Sequence, residues 1–373
     1  MENCEVLIVG GGPAGSTCAT KLKQAGVDVL LLDKQFFPRE KPCAGWITPV
    51  VLEMLGIDAD EYGSGRLLQK INCFRTGLML GSEVITRYDQ TVSYGIRRSE
   101  FDHYLLQRST VRQKMGEPVV TLERRKGGWI VNGNIYARLV VGAGGHFCPV
   151  SRLLGAKIGS EEIIAAQVSE FAMPPDEEQK CRIQADTPLL FFCRDMKGYG
   201  WLFRKGKYLN IGLGRMDRDH LGRHTKEFCN FLQQRSDLTA GFNGKFHGHA
   251  YLLYDRQKGR NMVNDGVMLL GDAAGLAHPQ SGEGILPAVE SALLAADTIL
   301  ACKGNYRRDN LEPYREKLYS RFEDSSKLPS SPISSMLSRF LGAKLLYSSW
   351  FTRNIVLDRW FLHLNQNTLH AKS

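Results

Sequence analysis

Gly10, Gly12 and Gly15 stand at G-x-G-x-x-G spacing, with Pro13 and Ala14 between the last two, directly behind the apolar run Val6-Leu7-Ile8-Val9. A short β-branched run ending in glycines reads as a buried parallel strand. The first glycine permits a tight turn, the second lets the backbone approach a pyrophosphate, and the third packs helix against strand. The helix that follows would offer free N–H groups and a positive dipole end to phosphate. About twenty residues on, the run Val29 to Leu32 ends at Asp33, whose carboxylate can bind both hydroxyls of an adenosine ribose. Strand, turn, helix, strand and acid in this order predict a dinucleotide site.

A second glycine-rich stretch, Gly271-Asp272-Ala273-Ala274-Gly275 through Pro279 to Gly282-Glu283-Gly284-Ile285, follows the apolar run Val267 to Leu270. Asp272 at a strand end can take ribityl or ribose hydroxyls. A helix opening at Gly284-Ile285 can aim N–H groups at the electron-rich edge of an isoalloxazine ring, which favours flavin over nicotinamide. His278 and Glu283 flank this stretch and are candidates to assist proton transfer. No Ser/His/Asp, Schiff-base lysine or metal-ligand constellation is apparent, so the chemistry is expected to be the cofactor's.

The elements that must position these residues fall in blocks. A helix is expected over Pro49 to Leu55, loosely alternating strands over 70–93, and a helix from Ile96-Arg97-Arg98 to about Arg108 with Ser99 as N-cap. Two or three strands with a Gly127-Gly128 turn lead to Leu139-Val140-Val141-Gly142. Alternating strands then dominate 165–256, including Leu189–Cys193, Gly200–Arg204 and Leu209–Leu213, with one helix near 225–234. A βα unit returns at 266–301. The expectation is an α/β protein whose Rossmann-like, parallel-sheet nucleotide domain is discontinuous (1–70, 94–164 and 257–310). A mostly antiparallel β-rich substrate domain (71–93 and 165–256) interrupts it, and a helical C-terminal segment (311–373) closes the chain.

Composition narrows the alternatives. With 373 residues, 43% of them apolar and 23% charged, the chain is an ordinary globular one, long enough for two domains. The excess of basic residues, 48 against 39 acidic, favours anionic ligands or an anionic membrane surface. No basic-aromatic module supports nucleic acid. Nine scattered cysteines without C-x-x-C pairs read as reduced thiols. No apolar span and no signal peptide are read, so a cytoplasmic protein is expected.

Together these stretches resemble FAD-dependent oxidoreductases of the glutathione-reductase-like superfamily, the branch with aromatic hydroxylases and flavin halogenases, and within it the geranylgeranyl reductase family. Lys41-Pro42-Cys43-Ala44-Gly45 resembles that family's K-P-C-G-G loop, and Arg98-Ser99-Glu100-Phe101-Asp102 its R-x-x-F-D helix start. Gly198-Tyr199-Gly200-Trp201-Leu202-Phe203-Arg204-Lys205-Gly206 with Asn210-Ile211-Gly212-Leu213-Gly214 resembles its G-Y-x-W-x-F-P-K-G … N-V-G-x-G segment. Arg204 replaces the usual proline, Trp46 adds bulk behind the loop, and Gly142-Ala143-Gly144-Gly145 lacks an aspartate.

The resemblance implies FAD held by Gly10, Gly12, Pro13, Ala14, Gly15, Asp33 and Lys34. Lys41, Cys43, Ala44, Gly45, Arg98, Asp272, Gly284 and Ile285 would complete the set, with Arg98 reaching the cofactor from the side opposite Gly12. Cys43 is a candidate redox thiol. Tyr199 and Trp201, alternating with Phe203, would form an aromatic wall for an isoprenoid or flat substrate. The implied reaction is reduction of a carbon–carbon double bond, with NAD(P)H or a ferredoxin-like protein as electron donor. A hydroxylase acting on an aromatic or protein-bound substrate and a non-catalytic flavin-bound assembly protein are the alternatives. From Ile333 to His363 aromatic and basic residues alternate, among them Met336/Phe340 and Leu341/Leu345 at i, i+4. That predicts either a helix lying at the inner face of a membrane or helices capping the substrate domain.

Overall fold

A computed structural model describes residues 1–326, apart from 218, 240, 241 and 243, and 344–369, apart from 365 and 367. The apolar runs that end in glycine form the middle of a sheet. Its parallel strands lie in the order Val267–Leu269, Ile135–Gly142, Glu2–Val9, Val29–Asp33, Arg112–Met115. Val9 pairs with both Gly142 and Leu32, so Gly10, Asp33 and Ala143 emerge together at the carboxyl edge. Ligands of open α/β sheets bind at that edge. Helices Pro13–Gln24 and Ile285–Ala301 pack side by side on the sheet through Cys18, Ala19 and Leu22 and through Ala292, Ala295 and Ala296. Cys18, Ala19, Ala292, Ala295 and Ala296 are small, which lets the two helices approach closely.

The second sheet has the order His247–Tyr251, Ile164–Ala172, Tyr208–Arg215, Gly198–Lys205, Leu189–Phe192, Cys73–Leu78, Glu83–Arg87. It is antiparallel except where Leu189–Phe192 meets Cys73–Leu78. Alternation gives it two apolar faces. Phe191, Leu202, Ile211 and Leu213 pack against helix Leu221–Gln234. Leu190, Phe192, Trp201 and Phe203 face the other way. A small sheet of Trp46–Ile47, Ser93–Ile96 and Leu68–Ile71 joins the two halves.

Three details differ from the sequence-based expectation. Helix Arg98–Ser109 is capped by Arg97 without any side-chain cap, and Ser99 is buried within its first turn. The expected boundary at 310/311 falls inside the helix Arg308–Ser326. That helix belongs with the nucleotide sheet: Leu311, Tyr314, Leu318 and Phe322 are buried in its core, and the Tyr314 hydroxyl donates to the Leu269 carbonyl at 2.8 Å. The part of the C-terminal segment described here, Ser349–Phe351 running into a wide π-type helix Thr352–Phe361, is a strap across the second face of the antiparallel sheet. Leu346, Val356, Leu357, Phe361 and Leu362 are buried there against Phe74, Leu190, Trp201 and Phe203. Of the apolar pairs read in this tail, Met336/Phe340 lies outside the described residues, as does Leu341 of the pair with Leu345.

Candidate functional site

A cavity of about 580 Å³ runs from the carboxyl edge of the parallel sheet to the second face of the antiparallel one, a size typical of cofactor and ligand sites. At one end lie Gly10, Gly12, Asp33 and Lys34; at the other Tyr199, Trp201, Phe203 and Phe361. Pro13, Ala14, Lys41, Cys43, Ala44, Arg98, Asp272, Gly284 and Ile285 line the space between, so the two glycine-rich stretches and the loop are brought together. Gly15 and Gly45 lie off the cavity.

Space around the glycines separates structural from ligand-related roles. A Cβ on Gly10, whose φ is +116°, would sit 2.5 Å from the Ala143 carbonyl oxygen. Gly15 packs helix on strand, since a Cβ there would come far inside contact distance of the Gly10 carbonyl. Gly45 is pressed against the Ile96 carbonyl and the Lys205 ammonium at φ +64°. Gly12 differs: its φ is an ordinary −74°, and an added Cβ would meet nothing nearer than Arg39 Nη2 at 3.5 Å. Nothing in the protein demands glycine at 12. What it keeps open is the cavity.

Both helices that point into this space begin without a side-chain cap and without an acid in the first turn, at Gly12 and at Gly284. Two unpartnered helix N-termini at opposite parts of one cavity suit a ligand with a pyrophosphate and a second electron-rich group, which is how FAD is built. Asp33 accepts from the Gly11 and Gln35 amides at 2.8 and 2.9 Å, which fixes its carboxylate at the cavity wall. The residues present fit the cofactor.

The middle of the cavity is strongly polar. Arg98 makes a bidentate pair with the fully buried Asp102, Nε and Nη2 each 2.8 Å from a carboxylate oxygen, and Arg39 adds a third contact at 3.2 Å. Burial works against the Arg98 charge, but Asp102 and Cys43 raise its pKa above the ordinary value. Lys41 Nζ lies 3.3 Å from His249 Nδ1, and His249 Nε2 lies 3.9 Å from Asp272. Burial, with Lys41 next, pushes His249 well below its usual 6.5, so its ring is neutral at pH 7. Burial also lowers Lys41, against the pull of Asp272, and raises Asp272 against the pull of Lys41 and Arg98. Lys41 and Asp272 thus temper each other, while nothing offsets the burial of His249.

The loop carrying Cys43 is anchored by the antiparallel sheet. Lys205, fully buried, donates to the carbonyls of Ala44 and Ile96 at 3.0 and 2.9 Å and pairs with Glu170. Asn210 donates to the Cys43 carbonyl and to Glu170, both at 2.8 Å, and accepts the Trp201 indole N–H at 2.8 Å. Burial lowers the Lys205 pKa and Glu170 counteracts it. The tryptophan, lysine and asparagine of the strand-pair motif therefore form one network, and Gly212 leaves room for the indole, since a Cβ there would overlap it. Glu170, at the centre, was missed by sequence reading because it stands in an unremarkable alternating strand.

Tyr199 donates to the Ser281 carbonyl, and its ring meets Phe361 at 5.2 Å. Trp46, the bulky departure behind the loop, stacks on Phe74 and Phe361 at 5.3 and 5.6 Å. The strap thus supplies part of the cavity's apolar end. Arg204, in place of proline, turns outward to Glu178 at 3.3 Å. Where the aspartate is absent after Gly142, Arg260 ties that loop to the second fingerprint by donating to the His146 and Ala273 carbonyls, both at 3.0 Å.

Comparisons with known proteins follow this layout. A family model described as an FAD binding domain matches residues 3–66. A protein named digeranylgeranylglycerophospholipid reductase 2 from Methanosphaera stadtmanae is 26% identical over 340 residues, covering 84% of this chain and 82% of its own. The crystal structure of a geranylgeranyl bacteriochlorophyll reductase-like protein from Thermoplasma acidophilum superposes with a TM-score of 0.78 at 22% identity, over 93% of this chain and 91% of that one. PqsL of Pseudomonas aeruginosa, described as a probable FAD-dependent monooxygenase, shares the fold at a TM-score of 0.68 and 19% identity, over 92% of this chain and 100% of its own.

Proposed function

We propose that this chain, an FAD-dependent oxidoreductase similar to the geranylgeranyl reductases, saturates carbon–carbon double bonds of an isoprenoid-type lipid. The observation that carries the reading is the continuity of the cavity: a polar cradle with two open helix N-termini runs into an end walled by Trp46, Tyr199, Trp201, Phe203 and Phe361. Apolar aromatic walls suit a flexible hydrocarbon chain, which they hold by area rather than by hydrogen bonds.

When bound, FAD supplies two-electron chemistry as hydride. The protein's share is positioning. Gly12 and the helix behind it would hold the pyrophosphate, Asp33 the adenosine ribose, and Gly284-Ile285 the electron-rich ring edge. Asp272, with Lys41 and His249, orders the polar middle. The Lys205–Glu170–Asn210 network fixes the loop that carries Cys43, and the strap excludes water from the apolar end. NAD(P)H or a ferredoxin-like protein would be the electron donor. Leu345, Tyr347 and Trp350 are 46%, 45% and 67% exposed beside Arg353. This outer side of the strap rests on a membrane surface, from which a lipid substrate enters. Among the described residues no helix is long and apolar enough to cross a membrane.

The test is anaerobic. Dithionite-reduced holoprotein should be reoxidised by geranylgeranyl diphosphate, with saturated product by mass spectrometry. Trp201→Ala should slow this step at least tenfold while retaining FAD. Reoxidation only when oxygen is admitted, with a hydroxylated product, would replace this reading by the monooxygenase one.

A further inference from the structure

His278, Glu283 and His363 meet beside the apolar end of the cavity, two of them on the second glycine-rich stretch and the third on the strap. Glu283 lines the cavity, and its Oε2 lies 3.0 Å from His363 Nε2, off the axis of a hydrogen bond. Apart from this charge contact neither carboxyl oxygen has a hydrogen-bond partner, so the acid keeps unused hydrogen-bonding capacity at the cavity wall. The His363 ring stacks on that of His278, centroids 4.0 Å apart and planes inclined by 28°. His278 is wholly buried, and neither of its ring nitrogens has a partner.

Three such side chains invite a metal reading, and their ligand atoms lie within 4.8 Å of one another. Ring geometry argues against it. In-plane lone pairs of two stacked rings run side by side, whereas ligands of one ion must converge on it. The other acids and hydroxyls of the cavity have different employment. Tyr199 donates to Ser281, Asp33 is held by two backbone amides, and Asp272 belongs to the Lys41–His249 cluster.

Alkene reduction needs a proton at the second carbon. The geometry points to Glu283 as the acid that supplies it, with His363 of the strap as the group that restores its proton and His278 as the positioning residue that holds the His363 plane. This rests on the reductase reading. One carbon takes a hydride, with both electrons, from reduced FAD; the other takes the Glu283 carboxyl proton. The π bond and the O–H bond break and two C–H bonds form. Glu283 is left as carboxylate and recovers a proton from water through His363, which keeps 8% exposure where His278 has none. Other titratable or charged groups around the pair are Tyr199 and Tyr251 from the sheet and Glu290 with Arg321 from the two long helices.

The experiment uses dithionite-reduced, FAD-loaded protein mixed anaerobically with geranylgeranyl diphosphate, with flavin reoxidation followed by stopped flow between pH 5.5 and 9. Glu283→Gln should slow reoxidation by about 10²–10⁴-fold, the range of a general acid, with FAD content and dithionite reduction unchanged. His363→Gln should lower the rate less and alter its pH profile. Glu283→Asp should restore part of the loss. As a readout independent of turnover, amide hydrogen exchange of the strap in apoprotein should match wild type in Glu283→Gln and rise in His363→Ala. A Glu283→Gln protein as fast as wild type overturns the inference alone, as does one that is unaffected while Cys43→Ser is slow. Wild type that reduces no prenyl alkene overturns the reductase reading, and this inference with it.

Discussion

Replacing Lys205 by methionine tests whether the loop carrying Cys43 is held in place by the antiparallel sheet. The Lys205 ammonium is fully buried and faces Glu170 and the carbonyls of Ala44 and Ile96. Removing one partner of a buried ion pair costs about 3–5 kcal/mol. Glu170 retains Asn210 at 2.8 Å, Arg97 at 3.4 Å and 16% side-chain exposure, which favours the low end, about 3 kcal/mol. Two carbonyls without a donor add about 1 kcal/mol each. The sum is about 5 kcal/mol. Urea denaturation of the apoprotein, followed by tryptophan fluorescence, measures it. A second variant, Lys205→Met with Glu170→Leu, should recover part of the loss because no unpaired charge remains. A loss below about 1 kcal/mol in the single variant, or no recovery in the double, would refute the idea that these charges lock the loop.

Other outcomes follow from the same geometry. Gly12→Val should fold but emerge colourless, whereas Gly15→Val should fail to fold, because its Cβ would overlap the Gly10 carbonyl; absorbance at 450 nm and circular dichroism separate them. Burial, with His363 next, holds His278 well below 6.5 in the folded state. Its neutral form therefore contributes stability that is complete above about pH 6.5 and is lost as pH falls toward the depressed value, by at most ~1.4 kcal/mol per pH unit. Thermal melts between pH 8 and 5 should show that slope, and His278→Phe should flatten it. A chain ending at residue 343 should keep FAD but lose alkene reduction, since Phe361 and its buried neighbours leave the wall; flotation with anionic vesicles should weaken in parallel.

What was legible in the sequence was whatever depends on local order. Val6 to Asp33 and Val267 to Ala301 show strand, glycine turn and helix in succession, and the described structure keeps that succession. The alternation of Tyr199, Trp201 and Phe203 likewise predicted one face of one strand. Contacts across long separations were not legible. Glu170 meets Lys205 and Asn210 only because three strands align in register, and nothing in its neighbours marks it. Phe361 reaches the cavity, and His363 reaches Glu283 beside it, along a path that composition does not encode. Ser99 looked like a cap because its residue type favours that role, yet packing of the helix start buried it instead.

The two halves of the proposed dinucleotide cradle, at Gly12 and Gly284, are far apart in the sequence, with the whole antiparallel sheet made between them. During synthesis the first fingerprint is complete early but stays half a site until helix Ile285–Ala301 has left the ribosome. On the proposed roles of Gly12 and Gly284, flavin capture is a late event that follows formation of the intervening sheet. A chain interrupted anywhere before that helix should remain colourless, so absorbance at 450 nm would gauge how far translation and assembly have proceeded.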